Sequence, residues 1–157
     1  MSEYSIRPAT EADRLPLTEM WARVVEENVG LGTEPPVDIE ERAPLWKIEG
    51  TFLAEANDEI LGSIHVEKSR HGYAEIGMCV ANGWRGKGVG SALMSTAEEW
   101  AREQGAHKLS LGVFAHNERA IALYVKHGFV EEGRRVKHYR RKSGDLYDSL
   151  EMGKLLS

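Results

Sequence analysis

The chain has 157 residues, of which 41% are hydrophobic and 29% are charged, a composition typical of a soluble domain and not of a disordered segment. No apolar run approaches the roughly 20 residues that a membrane span needs, the N-terminal residues lack the apolar stretch of a signal peptide, and the single cysteine, Cys79, excludes an intrachain disulfide. We therefore expect one domain over residues 1–157, no membrane partner and a cytoplasmic location.

The formal net charge of −5 is unevenly distributed along the chain. Residues 1–60 carry 5 Lys and Arg against 14 Asp and Glu, whereas the remaining residues carry 15 against 11. This pattern suits a protein that holds a cationic substrate with one part and a polyanionic cofactor with the other, and it suits equally a solvated surface of uneven charge. Charge alone leaves both interpretations open.

The first predicted elements are a short strand over residues 4–7 and a helix that begins after Thr10. Thr10 followed by Asp13 is typical of a helix N-cap with an acidic residue in the first turn. The apolar face predicted for this helix consists of Leu17, Met20, Trp21, Val24 and Val25. Gly30 and Gly32 are predicted to end the helix.

After a loop at Pro35 and Pro36, the pattern predicts an alternation of helices and strands. The predicted helices are 38–47, 91–104 and 118–126, and the predicted strands are 51–56, 60–67, 73–80, 108–113, 130–140 and 147–155. Residues 57–59 predict a hairpin turn. This order predicts an α/β fold with a mixed, mostly antiparallel sheet of six to seven strands and about four flanking helices.

Residues 85–90, Arg-Gly-Lys-Gly-Val-Gly, lie between a predicted strand and a predicted helix. Glycines let the backbone approach a ligand closely, and the free N–H groups at a helix start attract anions. Because Arg85 and Lys87 add positive charge, a pyrophosphate group fits this loop. The glycine spacing differs from the two common nucleotide fingerprints, G-x-x-x-x-G-K-[ST] and G-x-G-x-x-G. A tight turn before a helix is the alternative interpretation.

Two segments resemble signatures of the GNAT superfamily of N-acetyltransferases. The first is Arg85-x-x-Gly88-x-Gly90, preceded by an apolar strand and followed by Ala-Leu-Met, which resembles the acetyl-CoA loop of the family. The second is segment 117–129, which resembles the Asn…Tyr…Gly-Phe segment of the last family helix and its exit strand. The order of elements agrees over nearly the whole chain, so the resemblance implies the GNAT fold.

The resemblance also implies an acetyl-CoA-dependent N-acetyltransferase and assigns parts of acetyl-CoA to particular residues. Backbone groups at the end of the fourth strand would bind the pantetheine arm and the acetyl carbonyl, and the loop amides would hold the pyrophosphate. An asparagine would bind the pantetheine arm, and a tyrosine would lie beside the thioester sulfur. The residues at these positions are Met78 and Val80 in the strand, Arg85, Gly86, Lys87, Gly88, Val89, Gly90 and Ser91 in the loop, Asn117, and Tyr124.

Acetylation of an amine requires removal of a proton from the amine and delivery of one to the departing thiolate. Tyr124 is the candidate acid, with a core-facing aromatic as the alternative. Glu75 is the candidate base, because its Ala-Glu-Ile segment resembles that of histone acetyltransferases, whose glutamate is the base. Glu75 lies one residue nearer to Arg85 than that glutamate does, so a bulge, or the register of ribosomal-protein N-acetyltransferases, would be needed to aim it at the substrate. The other candidate bases are His65, Glu67, His116 and water.

The expected acceptor is a primary amine of a small molecule or peptide, which attacks acetyl-CoA directly in a ternary complex. The acidic residues expected to hold the amine are Glu26, Glu27 and Glu34, with Asp38 nearby. No metal is expected, and a homodimer is left open.

Two alternatives belong to other functional classes. Residues 134–142 contain six Lys and Arg, which suits nucleic-acid binding or a solvated hairpin. The negative net charge and the absence of a stacking motif argue against nucleic acid as a partner. The second alternative is a GNAT-fold protein that binds acetyl-CoA without catalysis, and turnover of any amine would distinguish it from an enzyme.

Overall fold

The computed structural model describes residues 3–156, which form a seven-stranded sheet flanked by helices. The strands are β1 (Ser5–Pro8), β2 (Thr51–Ala56), β3 (Glu59–Lys68), β4 (Tyr73–Val80), β5 (Lys108–Phe114), β6 (Val130–Arg140) and β7 (Leu146–Leu155). The helices are α1 (Arg14–Glu26), α2 (Ile39–Arg42), α3 (Val89–Glu103) and α4 (Glu118–Lys126), and single 3₁₀ turns lie at Glu11–Asp13 and Ala43–Leu45.

The strands are arranged in the order β1-β2-β3-β4-β5-β7-β6. Neighbouring strands are antiparallel except for β4 and β5, which are parallel and are connected through α3. The predicted α/β fold with a mixed, mostly antiparallel sheet and about four helices is therefore confirmed. Within the described range 3–156, none of the helices combines the length and apolarity needed to cross a membrane.

Apolar side chains cover the two faces of the sheet with different helices. On one face, Leu93 and Met94 of α3 are buried in a cluster that also contains Tyr124 of α4. On the other face, Leu17 and Met20 of α1 are buried against residues of β2, β3 and β4. Burial of one such large side chain contributes about 1.5–3 kcal/mol, so these clusters fix both helix layers.

Helix α1 ends earlier than the sequence predicts. Its last residue is Glu26, and Asn28 takes a positive φ of 51° while its N–H donates to the carbonyl of Val25. Asparagine tolerates this left-handed conformation through its short polar side chain, so Asn28 ends the helix. The prediction that Gly30 and Gly32 end it is wrong, because both glycines lie in the loop beyond.

The hairpin predicted at residues 57–59 is present between β2 and β3. Asn57 and Asp58 have φ values of 52° and 64°, and Ala56 pairs with Glu59 across the turn. Two consecutive positive φ values are the mark of the type I′ turn, which matches the twist of antiparallel strands. The other predicted strands and helices agree with the structure to within two residues, with α3 beginning at Val89 rather than Ser91. The exception is the predicted helix 38–47, which is only the short α2 followed by the 3₁₀ turn Ala43–Leu45.

A partly buried ion-pair network connects β1, β2 and the start of α1. Arg7 donates to both carboxylate oxygens of Asp13 at 2.8 Å and to Glu55 at 2.9 and 3.1 Å. Asp13 also accepts the backbone N–H of Thr10 at 2.7 Å, the capping contact that the sequence predicts. The Arg7 guanidinium holds the pKa of Asp13 at about 2, below its usual value.

Candidate functional site

Strands β4 and β5 separate partway along their length. They pair only at their first residues, and the last pair joins Glu75 to Ser110. Beyond it, β4 follows β3 up to Val80, while β5 follows β7 up to Phe114. The two strands therefore leave a wedge-shaped gap, which we call the β4–β5 opening.

Backbone groups of β4 point alternately to β3 and into this opening. The N–H of Ala81 donates to Leu61 in β3, so alternate residues back along the strand also face β3. Met78 and Val80, the residues between them, present their N–H and C=O groups to the opening. The carbonyl of Val80 accepts the Nε–H of Arg85 at 2.9 Å, which leaves the Val80 N–H for a ligand. The predicted role of Met78 and Val80 in binding pantetheine stays a prediction that this geometry allows.

The glycine loop adjoins the opening and leads into α3. Gly86 and Gly88 have φ values of 74° and 87°, and Gly88 is the N-cap of the helix. A Cβ at Gly90 would lie 2.9 Å from Leu123 of α4, so this glycine lets the two helices approach. The first amides of α3, from Val89 on, have no partner within the helix and are groups of the kind that binds anions.

Two of the predicted site residues bind each other. Arg85 donates to the carboxylate of Glu27 at 2.6 and 2.9 Å, in a bidentate pair. The sequence assigned Arg85 to the pyrophosphate loop and Glu27 to the cationic substrate. Because each charge compensates the other, this pair connects the end of α1 to the loop that precedes α3.

Two other loop residues have contacts that the sequence did not suggest. The Lys87 ammonium lies 5.0 Å from the centre of the Trp84 ring, and Tyr4 packs edge-on against the same ring. Ser91, near the start of α3, has its hydroxyl 3.0 Å from Nε2 of His127 at the end of α4. Lys87 is exposed and remains the loop cation that is free to turn toward an anion.

Tyr124 lies on α4 and is 8% exposed. Burial, with a smaller contribution from the nearby Cys79, raises the pKa of the Tyr124 hydroxyl to about 12. The raised pKa keeps this hydroxyl protonated, and it has no hydrogen-bond partner among residues 3–156, so it is available to a ligand. Burial likewise raises the pKa of the Cys79 thiol to about 11.

Asn117 is the N-cap of α4, and its Oδ1 accepts the N–H of Ala120 at 3.3 Å. Its side-chain Nδ2 lies 2.9 Å from the place where a Cβ of Gly30 would be. Beside it, His116 Nε2 lies 2.9 Å from the Val29 carbonyl oxygen. The loop after α1 therefore crosses from β4 to the start of α4.

Glu75 belongs to the last β4–β5 pair and is exposed. The β3–β4 register runs without interruption from Ala74 to Val80, so β4 contains no bulge at Glu75. By strand alternation Glu75 lies on the same face as Cys79, which packs beneath α1. Its predicted role as base stays untested, and it rests on this face being the one that the acceptor uses.

Two of the alternative bases on β3, His65 and Glu67, have structural partners. His65 Nδ1 lies 2.8 Å from Thr51 Oγ1, and burial lowers the pKa of the ring. Glu67 is paired with Lys47, which lowers the pKa of its carboxyl. These contacts account for His65 and Glu67 without a catalytic role.

The acidic residues predicted to hold the amine have different environments. Glu34 forms an ion pair at 3.6 Å with Arg141, whose side chain is only 5% exposed. Arg141 also donates to the carbonyls of Leu31 and Gly32 and to Asn28 Oδ1. Glu26 is exposed, and Asp38 caps α2 by accepting the Glu41 N–H.

Sequence reasoning missed Arg141 as a buried residue that binds the loop after α1. It stood as one of six cations in segment 134–142, and no local signal marks it as buried. In the same segment, Arg134 pairs with Asp148 and Arg135 with Glu151. Three of the six cations are thus internally compensated. Residues 3–156 show no group of three or more His, Cys, Asp or Glu side chains that could hold a metal ion.

A family model described as the Acetyltransferase (GNAT) family matches residues 18–129, and the chain therefore belongs to this family. It is 30% identical to a phosphinothricin N-acetyltransferase from Streptomyces coelicolor over 94% of this chain and 93% of the relative. It is 35% identical to the L-amino acid N-acetyltransferase AaaT from Escherichia coli over 52% of this chain. The prediction of an N-acetyltransferase is confirmed at the level of the family.

The fold is also that of a solved acetyltransferase, yncA from Salmonella typhimurium, whose structure contains acetyl-CoA. The TM-score is 0.87 and the identity 23%, with 99% of this chain and 95% of that chain covered. The curated relatives match over different shares of their length. The match spans about half of the Escherichia coli relative and about a third of an uncharacterized Bacillus subtilis N-acetyltransferase.

Proposed function

We propose that the chain transfers an acetyl group from acetyl-CoA to a primary amine of a small molecule or peptide, by direct attack of the amine in a ternary complex. The observation that carries this proposal is the β4–β5 opening, which adjoins a glycine loop at the start of α3 and the protonated Tyr124. The acetyl-CoA bound by the related Salmonella fold supports acetyl-CoA as the co-substrate.

The chain offers partners for the pantetheine arm and the pyrophosphate of acetyl-CoA. Backbone groups of Met78 and the N–H of Val80 would pair with the amide groups of the pantetheine arm, like an added strand. The amides of residues 86–91 and the Lys87 ammonium would hold the pyrophosphate. The amide group of Asn117 retains a donor, since only its Oδ1 is used to cap α4.

Tyr124 would deliver the proton to the departing thiolate. A hydroxyl with a pKa of about 12 keeps its proton over the physiological range and gives it up only to a strong base. A thiolate formed in a site shielded from water is such a base, because desolvation raises its proton affinity as it does that of Tyr124. Tyr124 is therefore expected to donate its proton in the step in which the C–S bond breaks and the sulfur becomes negative.

Glu75 would take the proton from the amine, directly or through water. An amine with a pKa near 10.4 is mostly protonated at pH 7, and keeping it neutral there costs about 4.6 kcal/mol. A carboxylate beside the nitrogen can accept the proton as the new C–N bond forms and the nitrogen becomes acidic. Glu75 forms no ion pair among residues 3–156, so its carboxylate is uncompensated, unlike those of Glu27 and Glu34.

The acceptor is proposed to be small. The pairing of Glu27 and Glu34 with arginines removes two of the three carboxylates that would have attracted a polycation. The related enzymes named for L-amino acids and for phosphinothricin support a compact amine. Glu26, the third, is exposed and remains available to attract the positively charged amine as it approaches.

The proposal is tested with the purified chain in two steps. Acetyl-CoA at about 100 times its Kd should stabilise the fold by roughly 2.7 kcal/mol, which a thermal scan detects. Release of free CoA is then measured with amino acid amides, simple amines, polyamines, aminoglycosides and peptides. An unchanged Tm with millimolar acetyl-CoA overturns the proposal, and stabilisation without turnover of any amine identifies a non-catalytic binder.

Lys87→Glu tests the position of the pyrophosphate more cleanly than a change at the glycines. The side chain introduced by Gly90→Glu would clash with Leu123, and a side chain at Gly88 would be strained at its positive φ, so either change could also disturb the fold. Lys87 is exposed, so its replacement should leave the fold intact and weaken CoA binding by about tenfold or more. Lys68→Glu, at the opposite end of the sheet, is the control and should bind CoA normally.

A further inference from the structure

Gly77 in β4 and Gly112 in β5 occupy equivalent positions beside the β4–β5 opening. Each lies two residues beyond the last pair of the two strands, Glu75 with Ser110. Because residues two apart on a strand share a face, both glycines lie on the face of Glu75 and Ser110. The opening is thus flanked on this face by two positions without a side chain.

The fold does not explain why glycine is present at either position. Their φ values lie outside the left-handed region, so an L-residue would adopt the same backbone without strain. A Cβ at Gly77 would meet nothing within 4 Å, and one at Gly112 would meet only the Glu151 carboxylate, at 3.7 and 4.0 Å. Both residues are exposed. Glycine inside a strand costs stability, and it often marks a place where a ligand comes close to the backbone.

The opposite face of the opening is closed by the fold. Met78 and Val80 of β4 and Leu111 and Val113 of β5 point into the apolar cluster under α3 and α4. Helix α1 packs on β3 and β4 on the glycine face, but Gly112 of β5 is left exposed. A second reactant therefore reaches a group held between the two strands from the glycine face.

We propose that Gly77 and Gly112 form the path of the acceptor amine and set its specificity. The two missing side chains leave room for substituents on the carbon that carries the nitrogen, so the acceptor is a primary amine on a branched carbon. Glu75 lies on the same face and receives the amine as an ammonium ion. This inference rests on the proposed acetyl transfer, and it adds to that proposal the class of amine and two residues that select it.

The charges around this path favour the binding of one ammonium ion. Glu151 is the strand partner of Gly112, but Arg135 compensates it at 3.0 Å. Glu67 is the strand partner of Glu75 and is compensated by Lys47. Glu75 is therefore a carboxylate beside the path that has no ion-pair partner among the described residues 3–156, and a single ammonium group neutralises it.

The test uses Gly77→Val and Gly112→Val, with the alanine variants as milder changes. Gly133→Val in β6 is the control, because a Cβ there also meets nothing within 4 Å and its φ is not left-handed. Acceptors are compared in pairs that differ by one methyl on the carbon bearing nitrogen: glycinamide with L-alaninamide, and n-butylamine with sec-butylamine. An accepted amine outside these pairs is compared with its own analogue methylated at that carbon.

Both valine variants should keep the Kd for CoA and keep or raise the Tm, since valine favours strands. Their kcat/KM for the branched member of each pair should fall at least about tenfold relative to the unbranched member, as one blocked methyl is worth roughly that factor. The Gly133→Val control should keep the wild-type ratio.

The other possible outcomes contradict either the inference about the two glycines or the proposed acetyl transfer. A wild-type enzyme that uses only unbranched amines, or valine and alanine variants that keep the wild-type ratio, overturns the inference and leaves acetyl transfer intact. A lower Tm in both the valine and alanine variants shows that the glycines serve the fold, and it also overturns the inference. No CoA release with any amine overturns the proposed function, and the inference with it.

Discussion

Arg85 and Glu27 form a bidentate ion pair that connects the loop before α3 to the residue after α1. Arg85 also donates to the Val80 carbonyl, so one side chain joins the end of β4, the glycine loop and the loop after α1. The arrangement makes Glu27 a structural partner of the co-substrate loop, whereas the sequence placed it with the acceptor.

Glu27→Gln separates these two roles. The change keeps the shape of the side chain and removes its charge, so we expect a loss of stability of about 0.2–1 kcal/mol and an altered salt dependence of CoA binding. Denaturant unfolding and calorimetry at two salt concentrations provide these values. Glu26→Gln makes the same charge change one residue away and should alter neither. If instead the KM for the amine rises while stability and CoA affinity are unchanged, Glu27 binds the acceptor, as the sequence predicts.

Tyr124→Phe should lower kcat by about 10²–10³ with little change in the Kd for acetyl-CoA, because it removes the proton donor and keeps the ring. Since the pKa of Tyr124 is raised to about 12, the loss should be the same at every pH from 6 to 9. Tyr139→Phe on the exposed strand β6 is the matched control. Full kcat in Tyr124→Phe, with chemistry rate-limiting, would show that Tyr124 only packs in the core.

Glu75→Gln should reduce kcat/KM most at low pH, where the largest fraction of the amine is protonated and a base is most needed. The pH dependence of kcat/KM between 6 and 9 measures this effect. Glu67→Gln, on the neighbouring strand, removes a carboxylate that Lys47 already compensates and serves as the control. A profile for Glu75→Gln that overlies the wild-type curve would assign the proton to water or to a histidine.

Asp13→Asn should destabilise the fold by about 2 kcal/mol at pH 7, because the pKa of Asp13 is lowered to about 2 by Arg7. A lowered folded-state pKa means that the stabilisation is present above the unfolded pKa near 3.8 and is lost as the pH falls through 2. Wild type and variant should therefore converge in urea unfolding toward pH 2. Asp58→Asn in the hairpin turn should change little. A pH-independent difference would show that the pair with Arg7 is not its source.

Local patterns of the sequence were sufficient for most of the fold. Asn57 and Asp58 form a turn because adjacent positive φ values suit these residue types, and alternation of apolar residues located the strands. The glycine loop was found for the same reason, since Gly86 and Gly88 have the positive φ values that glycine permits. These features depend on residues close in sequence, which is why they could be predicted.

Partners of charged side chains could not be predicted in the same way. Glu27 and Arg85 are 58 residues apart, and Glu34 binds an arginine more than 100 residues away, so no spacing rule connects them. Each charge was assigned to a ligand because its protein partner was not visible. The glycines beside the β4–β5 opening escaped notice for a related reason, since only the separation of the two strands gives Gly77 and Gly112 a common position.

The face of Glu75 was the other point that the sequence left open. Counting from Arg85 suggested that a bulge would be needed, but β4 keeps a regular register with β3. The loop between Val80 and Arg85 has its own turn, with Gly83 at a φ of 92°, so residue counts across it do not transfer to the strand. Register within a strand is set by pairing, which counting cannot supply.

The burial of Cys79 has a practical consequence for how this chain can be studied. Its sulfur lies 3.9 Å from Met20 Sδ and from Ser63 Oγ, it is 8% exposed, and the raised pKa of about 11 keeps it a thiol. Thiolates attack disulfide reagents, so a disulfide-exchange dye added to the folded protein should react with released CoA much faster than with Cys79. The slow rate at which the dye labels Cys79 in the absence of substrate then measures how often the α1 layer opens by local unfolding.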